Sequence, residues 1–331
     1  MSEISRRDFL RSAVLGLGAI AAARFLSACA SPQNTILPPA PLSTPVSTAP
    51  EKPGTEPAAT SYPDLIVVKG GEPGAMVLRA LNMLGGMGRF VKKGDNVIIK
   101  PNIGPSVRAY EYAATTNPWV IAAVARLCFE AGAGRVRVMD KPFGGTAEDG
   151  YARSGIKALV EDAGGEMEIM SRFKFVATDI PNGKDIKKWD IYEDILKADV
   201  LINIPIAKQH SASRLTLGMK NLMGTITNAQ MFHINLHQRI ADLSTRVRPA
   251  LTIIDAVRIL TANGPTGGNL KDVKKLDTLI AGTDIVAVDS YATSLFGLNP
   301  EDVPHIKIAA AMGLGHSNLD GLIIREASGA G

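Results

Sequence analysis

The sequence predicts an α/β fold: a mostly parallel sheet with helices on both faces, forming one large domain behind a disordered tether. Three observations carry this. Short continuous apolar runs, such as Val97-Ile98-Ile99 and Val200-Leu201-Ile202, recur along residues 63–331; they mark strands buried on both faces. Stretches of helical periodicity separate them at the spacing of strand–helix–strand units. Prolines and glycines, among them Pro101, Pro205 and Gly164-Gly165, punctuate the boundaries.

In chain order, 65–69 reads as a first strand and 73–87 as a helix, with Pro73 suited to its first turn. Residues 95–100 form a second strand, cut off by Pro101. Asn117 caps a helix that ends at Gly132. A third strand, 135–139, runs into Asp140. After a Gly144-Gly145 loop, a helix over 151–163 stops at Gly164-Gly165. Strands at 166–170 and 173–179 follow, with a turn at 181–183. Residues 199–204 are a buried strand closed by Pro205. A helix over 228–244, strands at 251–255 and 275–281, and helices at 283–296 and 305–312 complete the domain.

The amino terminus carries a separate message. Ser5-Arg6-Arg7-Asp8-Phe9-Leu10-Arg11 is a twin-arginine pattern, residues 13–23 are mildly apolar, and Leu26-Ser27-Ala28-Cys29 fits a lipobox. In that order they predict a twin-arginine export signal over 1–29 and lipidation at Cys29, placing the protein outside the cytoplasm, periplasmic or otherwise extracytoplasmic, anchored to a membrane by acyl chains. The apolar segment is too short to span a bilayer, and Arg24 interrupts its end. The export machinery of this route carries folded proteins, often after a cofactor has been inserted. Residues 30–62, rich in Pro, Ser, Thr and Ala, read as a disordered linker.

Charge and cysteine content exclude several classes. The formal net charge is +4. Residues 1–28 hold four arginines and two acids, so the mature chain is near +2. No block of like charge appears, and nucleic-acid binding has no footprint. With Cys29 lipidated, only Cys128 remains, inside a helical apolar pattern that makes it a core thiol. No disulfide forms within the monomer, and no iron–sulfur cluster is ligated by this chain alone.

The chemistry concentrates in residues 198–224, where a buried strand runs into polar residues including Lys208, His210, Lys220 and Asn221. In an open α/β sheet, ligands bind beyond the carboxyl ends of strands. Lys100 and Asn102, Asp140, Lys208 and His210, and Asp255 all follow strands and are expected on that edge. Lys100, Lys208 and Lys220 favour an anionic small molecule. His233 and His237, four apart on the expected helix, share a face at metal-ligand spacing; with His210 and the Asp255 carboxylate they make a candidate metal set. His305 and His316 read as structural or surface residues. The loop Gly264-Pro265-Thr266-Gly267-Gly268 lacks the lysine and spacing of a phosphate loop. It is either a wall of the site or a connecting turn. No G-x-S-x-G elbow is present, which disfavours an ordinary α/β-hydrolase.

These residues resemble the DUF362 family. The resemblance rests on Lys100-Pro101-Asn102; Ile204-Pro205-Ile206-Ala207-Lys208-Gln209-His210; Leu217-Gly218-Met219-Lys220-Asn221-Leu222-Met223-Gly224; Ala241-Asp242-Leu243; Ile254-Asp255; Asn263-Gly264-Pro265-Thr266-Gly267; Val286-Ala287-Val288-Asp289-Ser290; and Ala311-Met312-Gly313-Leu314-Gly315. Many members also carry a four-cysteine ferredoxin-like module, whose cysteines this chain lacks. Residues 198–224 further resemble nickel-dependent lactate racemases. There a His is an acid/base group, a Lys ten residues later holds a nickel-pincer nucleotide, and a downstream His ligates nickel. The resemblance implies these roles for His210, Lys220 and either His233 or His237. The Gly-Gly that usually precedes the Lys is Gly218-Met219 here.

Three readings follow. The leading one is an exported, membrane-tethered protein with a site for an anionic ligand or cofactor at the sheet edge, performing metal- or cofactor-assisted proton transfer in the manner of an isomerase or racemase. In it His210 and Lys220 are catalytic; Lys100, Asn102, Lys208, Lys220 and Asn221 hold the cofactor, a transition metal or metal-containing nucleotide; and His233, His237 and Asp255 surround a metal. The alternatives are a non-enzymatic ligand- or metal-binding lipoprotein, and a redox accessory protein acting with an iron–sulfur partner.

Overall fold

The computed structural model describes residues 62–329. The export signal, Cys29 and nearly all of the linker lie outside the described residues. Twelve strands are found among those described: β1 (Leu65–Lys69), β2 (Asn96–Lys100), β3 (Arg135–Val138), β4 (Glu166–Met167), β5 (Phe175–Asp179), β6 (Lys188–Tyr192), β7 (Val200–Asn203), β8 (Ile206–His210), β9 (Arg214–Thr216), β10 (Leu251–Leu260), β11 (Val273–Gly282) and β12 (Ile324–Ser328). The main sheet runs β12-β1-β11-β10-β7-β2-β3-β4, with β8 on β10 and β9 on β8; β5 and β6 form a separate hairpin. Along the main path only β11 opposes its neighbours. The carboxyl ends of β2, β3 and β7 therefore lie on one edge, as the sequence predicts.

The alternation of side chains divides the core into two layers. Ile66, Val97, Ile99, Val138, Ile202 and Ile253 face the helices Pro73–Met83, Pro118–Glu130 and Ile156–Asp162. Leu65, Val67, Ile98, Leu201, Ile254 and Ile280 face the helices Leu236–Arg246, Ile285–Thr293 and Pro304–Ala311. Each fully buried side chain of this kind contributes about 1.5–3 kcal/mol. Both faces of the sheet are covered, which is what a parallel sheet requires.

Four local expectations are corrected. The helix expected over 151–163 divides into Ala147–Arg153 and Ile156–Asp162, because Gly155 takes a left-handed φ of 77° between them. The helix expected over 228–244 is a 3-10 segment, Ala229–Asn235, followed by an α-helix, Leu236–Arg246; Asn235, with φ −145° and ψ 61°, breaks the spiral. The strand expected to stop at Asp255 continues to Leu260 through an irregularity between Ala256 and Arg258. The polar stretch after Pro205 is not a loop: it forms the β8–β9 hairpin, with Arg214 in the left-handed region at its turn.

Buried carboxylates fasten the loops. Asp242 accepts the backbone N–H groups of Lys184, Asp185 and Ile186. Asp289, wholly buried, accepts those of Gly218 and Met219 at 2.6 and 2.9 Å and so anchors the short helix Gly218–Asn221. Burial drives the Asp289 carboxyl up to about 7, against the pull of these two donors. Replacing Asp289 by Ala leaves both donors unpaired in the interior. The expected loss is about 2–4 kcal/mol of unfolding free energy, read as a lowered urea midpoint; an unchanged midpoint would show that the carboxylate is not the anchor.

Candidate functional site

The polar residues at the sheet edge enclose a cavity of about 580 Å³, within the size range of small-molecule sites. Its floor is built from strand ends. Lys100, the last residue of β2, is 1% exposed and pairs with Asp140 at 2.7 Å; the other Asp140 oxygen accepts the Ile103 N–H. Burial lowers the Lys100 pKa, and Asp140 opposes the shift. Gly224 lies directly over this pair. A Cβ there would stand 2.0 Å from Asp140 Oδ1 and 2.7 Å from Lys100 Nζ, so only glycine fits.

Beside the ion pair runs a chain of amides. Asn203 Nδ2 donates to the Gly218 carbonyl, and its Oδ1 accepts from Asn221 Nδ2 at 2.9 Å. Asn221 Oδ1 accepts from Asn102 Nδ2 at 2.9 Å, and Asn102 Oδ1 accepts from Lys208 Nζ at 3.1 Å. Asn221 also donates to the Pro101 carbonyl. Asn102 and Asn221 thus hold protein groups as well as lining the cavity. Asn203, which sequence reasoning placed only in a strand, is the link that ties this chain to the Lys220 helix.

The β8–β9 hairpin supplies one wall. Lys208 and His210 are two residues apart and share a face of β8, and Thr216 is the cross-strand partner of Lys208. All three line the cavity. Lys208 donates to Asn102 Oδ1 and to the Ala114 carbonyl; burial, reinforced by the Lys220 charge, lowers its pKa to about 7. Thr216 is 3% exposed, and its hydroxyl has no partner. Only the hairpin register turns Thr216 toward Lys208. Pro265 also reaches the cavity, and the Gly264 N–H donates to Gln209 Oε1, so the glycine-rich loop does form a wall.

His210 has an unexpected protonation geometry. Its Nδ1 accepts the N–H groups of Ala212 and Ser213 at 3.1 and 3.3 Å, which leaves the hydrogen of the neutral ring on Nε2. Burial, then Lys220 and Lys208, hold its pKa down near 3. Around neutral pH the ring is therefore a hydrogen-bond donor and a poor base. Lys220 is the reverse. It lines the cavity, and its amine has no hydrogen-bond or ion-pair partner among the described residues. Burial, with a smaller push from Lys100, lowers its pKa to about 8, so an appreciable share of this amine is unprotonated near neutrality. Lys141, which sequence reasoning passed over, adds a further cation to the lining; burial lowers its pKa as well.

The expected metal set is not assembled. His233 lines the cavity mouth, exposed, with Nδ1 against the Gln230 carbonyl. His237 belongs to the next helix, and its Nδ1 meets His305 Nδ1 at 3.3 Å. The break at Asn235 puts the two histidines on different spirals. Asp255 is wholly buried mid-strand; its oxygens accept the Asn117 and Val257 N–H groups at 2.7 and 3.0 Å, holding in place the Asn117 that caps the helix Pro118–Glu130. Among the described residues no three His, Cys, Asp or Glu side chains are grouped to hold a metal ion. Cys128 is fully buried, and burial pushes its thiol up to about 12, as befits a core residue.

Comparison with known proteins bears on the family. DUF362, described as a domain of unknown function, matches residues 97–294. A thylakoid-associated protein of Synechocystis sp. (strain ATCC 27184 / PCC 6803 / Kazusa) is 30% identical over 244 residues, covering 71% of this chain and 73% of that protein. Among solved structures, the lactate racemase apoprotein from Thermoanaerobacterium thermosaccharolyticum is similar with a TM-score of 0.43 at 14% identity, over 74% of this chain and only 56% of that one. A protein from Thermotoga maritima gives a TM-score of 0.39 at 10% identity, over 69% and 60% of the two chains. The family match runs from β2 through the helix that carries Asp289, taking in the cavity floor, the β8–β9 hairpin and Lys220, and on that ground the chain belongs to the DUF362 family.

Proposed function

We propose that this protein binds a small carboxylate- or phosphate-bearing molecule in the sheet-edge cavity and moves a proton on it, as an isomerase- or racemase-like enzyme. One observation carries the reading: Lys220, an amine with a pKa near 8 and no protein partner, faces a cavity whose other free groups are donors. Lys208, the His210 Nε2–H and the Thr216 hydroxyl all offer hydrogens, and the one lining carboxylate, Asp140, is already paired with Lys100. Such a set selects an oxyanion. Lys220 is the proton acceptor, because its free amine is populated near neutrality. His210, neutral and fixed, donates to the developing negative charge, so its role differs from the acid/base role that the sequence implies. We propose further that the protein works outside the cytoplasm, tethered through Cys29.

A metal-bearing nucleotide fits this cavity in size and in donor chemistry. With this group bound, Lys220 would anchor it in place of serving as the base, and Lys208, Lys141 and Thr216 would meet its phosphate. When bound, such a group supplies an electrophilic centre beside the substrate. Mass measurement of intact protein folded in the cytoplasm tests this: an adduct that disappears in Lys220→Met supports it, and an unmodified mass with no bound metal removes it.

The pH dependence of binding has a definite sign. A bound dianion stabilises the ammonium forms and so raises the pKa values of Lys208 and Lys220 above about 7 and about 8. The electrostatic part of the affinity is fully present below the lower of these values. It is lost as pH rises through the free-protein values toward those of the complex, with uptake of protons on binding. Oxalate remains a dianion across this range, and titration calorimetry should show its affinity falling about tenfold per pKa unit gained. An affinity independent of pH between 6 and 9 would contradict the assignment.

Lys220→Met keeps the side-chain length and removes a desolvated charge. Oxalate affinity should fall by roughly tenfold or more, while thermal stability stays level or rises, since an unpartnered, half-buried cation is a cost to the fold. In deuterium oxide, the wild-type chain should wash deuterium into an acidic C–H of a small carboxylate or phosphate ester, and Lys220→Met should not. Tight oxalate binding without wash-in across a panel of such compounds would favour the non-enzymatic binding protein.

A further inference from the structure

The cavity lining has a second chemistry that its cations do not use. Pro142, Phe143, Met223, Ile226 and Pro265 line it together with the lysines. Met223 and Ile226 are buried, whereas Phe143 is 59% exposed. A single exposed aromatic on an open surface is ordinary. Phe143 differs because it borders a cavity and because its loop is fastened on both sides. Before it, Asp140 pairs with Lys100 and donates its backbone N–H to the Tyr151 hydroxyl. After it, the Gly144 carbonyl accepts the Ser106 N–H at 3.0 Å, and Gly144 is bridged to Pro105. Gly145 follows with φ 79°, so close to Ser106 that a Cβ there would collide with Ser106 Oγ. The backbone on each side of Phe143 is thus tied down, and the ring is held at the cavity.

The ring also stands beside a cavity amine. Its centroid is 5.7 Å from Lys208 Nζ, within the range of a cation–π contact. An ammonium has three hydrogens to give. Lys208 gives one to Asn102 Oδ1 and one to the Ala114 carbonyl, and among the described residues no protein acceptor takes the third. An anion oxygen on that third hydrogen stands about 2.8 Å from the nitrogen. Apolar atoms touch at about 4 Å. A ligand atom a few bonds beyond the held oxygen therefore comes within contact range of the ring. Such an atom belongs to the substituent next to a carboxylate, or to the esterified group of a phosphate monoester. The cavity, about 580 Å³, has room for it. A bare dicarboxylate would leave most of that volume to water, against apolar walls that gain from shedding it.

We propose that Phe143 is a specificity-determining residue: with Met223 and Ile226 it forms an apolar subsite beside Lys208, and the ligand is a carboxylate or phosphate monoester that carries an aromatic or branched aliphatic substituent close to its charged group. This rests on the reading of the cavity as an anion site, and it narrows the ligand class. The two segments that supply the subsite are joined, since Lys141, two residues before Phe143, donates from Nζ to the Ile226 carbonyl at 3.5 Å. Lys208 holds the charge, and Phe143 selects what the charge is attached to. A substituent laid on the ring removes apolar area from water on both partners. It also excludes water from the space beside Lys208, which strengthens the ion pair formed there. A wholly polar dianion gains neither effect.

The test titrates the ¹⁵N-labelled full chain with oxalate, acetate, phenylacetate and uncharged phenylacetamide, followed by nuclear magnetic resonance. Phenylacetate should bind about tenfold or more tightly than acetate. In Phe143→Ser that preference should fall to about twofold or less, while oxalate affinity moves by less than about threefold. Phe143→Leu, which keeps an apolar group at the position, should retain most of the preference and guards against a folding defect in the serine variant. Equal binding of acetate and phenylacetate by wild-type protein that binds oxalate overturns the subsite and leaves the anion site standing. An unchanged preference in folded Phe143→Ser overturns the assignment to Phe143. If oxalate and acetate do not bind, the anion reading fails, and phenylacetamide decides the subsite. It stands if phenylacetamide binds and loses its affinity in Phe143→Ser, and it falls if phenylacetamide does not bind.

Discussion

The buried Lys100–Asp140 ion pair is the constraint on which the site depends. An ammonium and a carboxylate, each at most 5% exposed, are held 2.7 Å apart at the ends of two neighbouring strands. Desolvating both is expensive, and the interior repays this only when the geometry is tight and the remaining valences are filled. Asp140 fills its second oxygen with the Ile103 N–H, and Lys100 also donates to the Pro101 carbonyl. Gly224 leaves room above the pair where any side chain would collide. The chain segment between β9 and the helix Leu236–Arg246 is thereby fixed at that height, and Lys220 with it. One compensated charge at the floor sets the position of uncompensated ones in the wall.

Those uncompensated charges bear the mark of function. Beyond burial, Lys220 and Lys100 lower the proton affinity of Lys208, Lys100 lowers that of Lys220, and no carboxylate opposes the shift at Lys220. A fold selected for stability alone would place an acid between them or replace them by apolar groups of similar volume. Here three buried acids of the domain are used elsewhere: Asp255 holds the N–H of the helix-capping Asn117, Asp289 anchors the Lys220 helix, and Asp242 fastens a loop. The cavity therefore stays cationic because every buried carboxylate around it is committed to backbone N–H groups or to Lys100.

Much of the fold was legible because it obeys periodicity. The two-sided burial of β2 and β7 shows in their apolar runs, and the prolines that follow them mark the edge where such folds bind ligands. What escaped was governed by tertiary contacts. The β8–β9 hairpin looks like a polar loop because its cavity face carries Lys208, His210 and Thr216; it is a strand pair only because β10 runs past β7 and offers a partner. Asp255 looked like a strand end for the same reason, since a polar residue in a buried strand resembles a terminus until its acceptor role toward Asn117 is seen. The His233–His237 pair failed because a four-residue spacing shares a face only in an unbroken α-helix, and Asn235 breaks this one. His305 carried no pattern at all: its partner is 68 residues away.

The chemistry of the site follows from one field acting on two kinds of group. Positive potential from Lys100, Lys208 and Lys220, in surroundings that exclude water, opposes every added proton. For the lysines this brings ordinarily inert ammonium groups to values near neutrality, where a free amine is available. For His210 burial, reinforced by the same field, pushes an ordinarily responsive ring out of its useful range and leaves a fixed donor. In the proposed reaction the residue usually read as the physiological base serves as a fixed donor, and the residue usually read as a permanent cation serves as the base. Motif spacing alone cannot reveal that exchange, because it depends on how many cations share one desolvated edge; the fold determines that number by bringing the end of β2, the strand β8 and the helix Gly218–Asn221 together there.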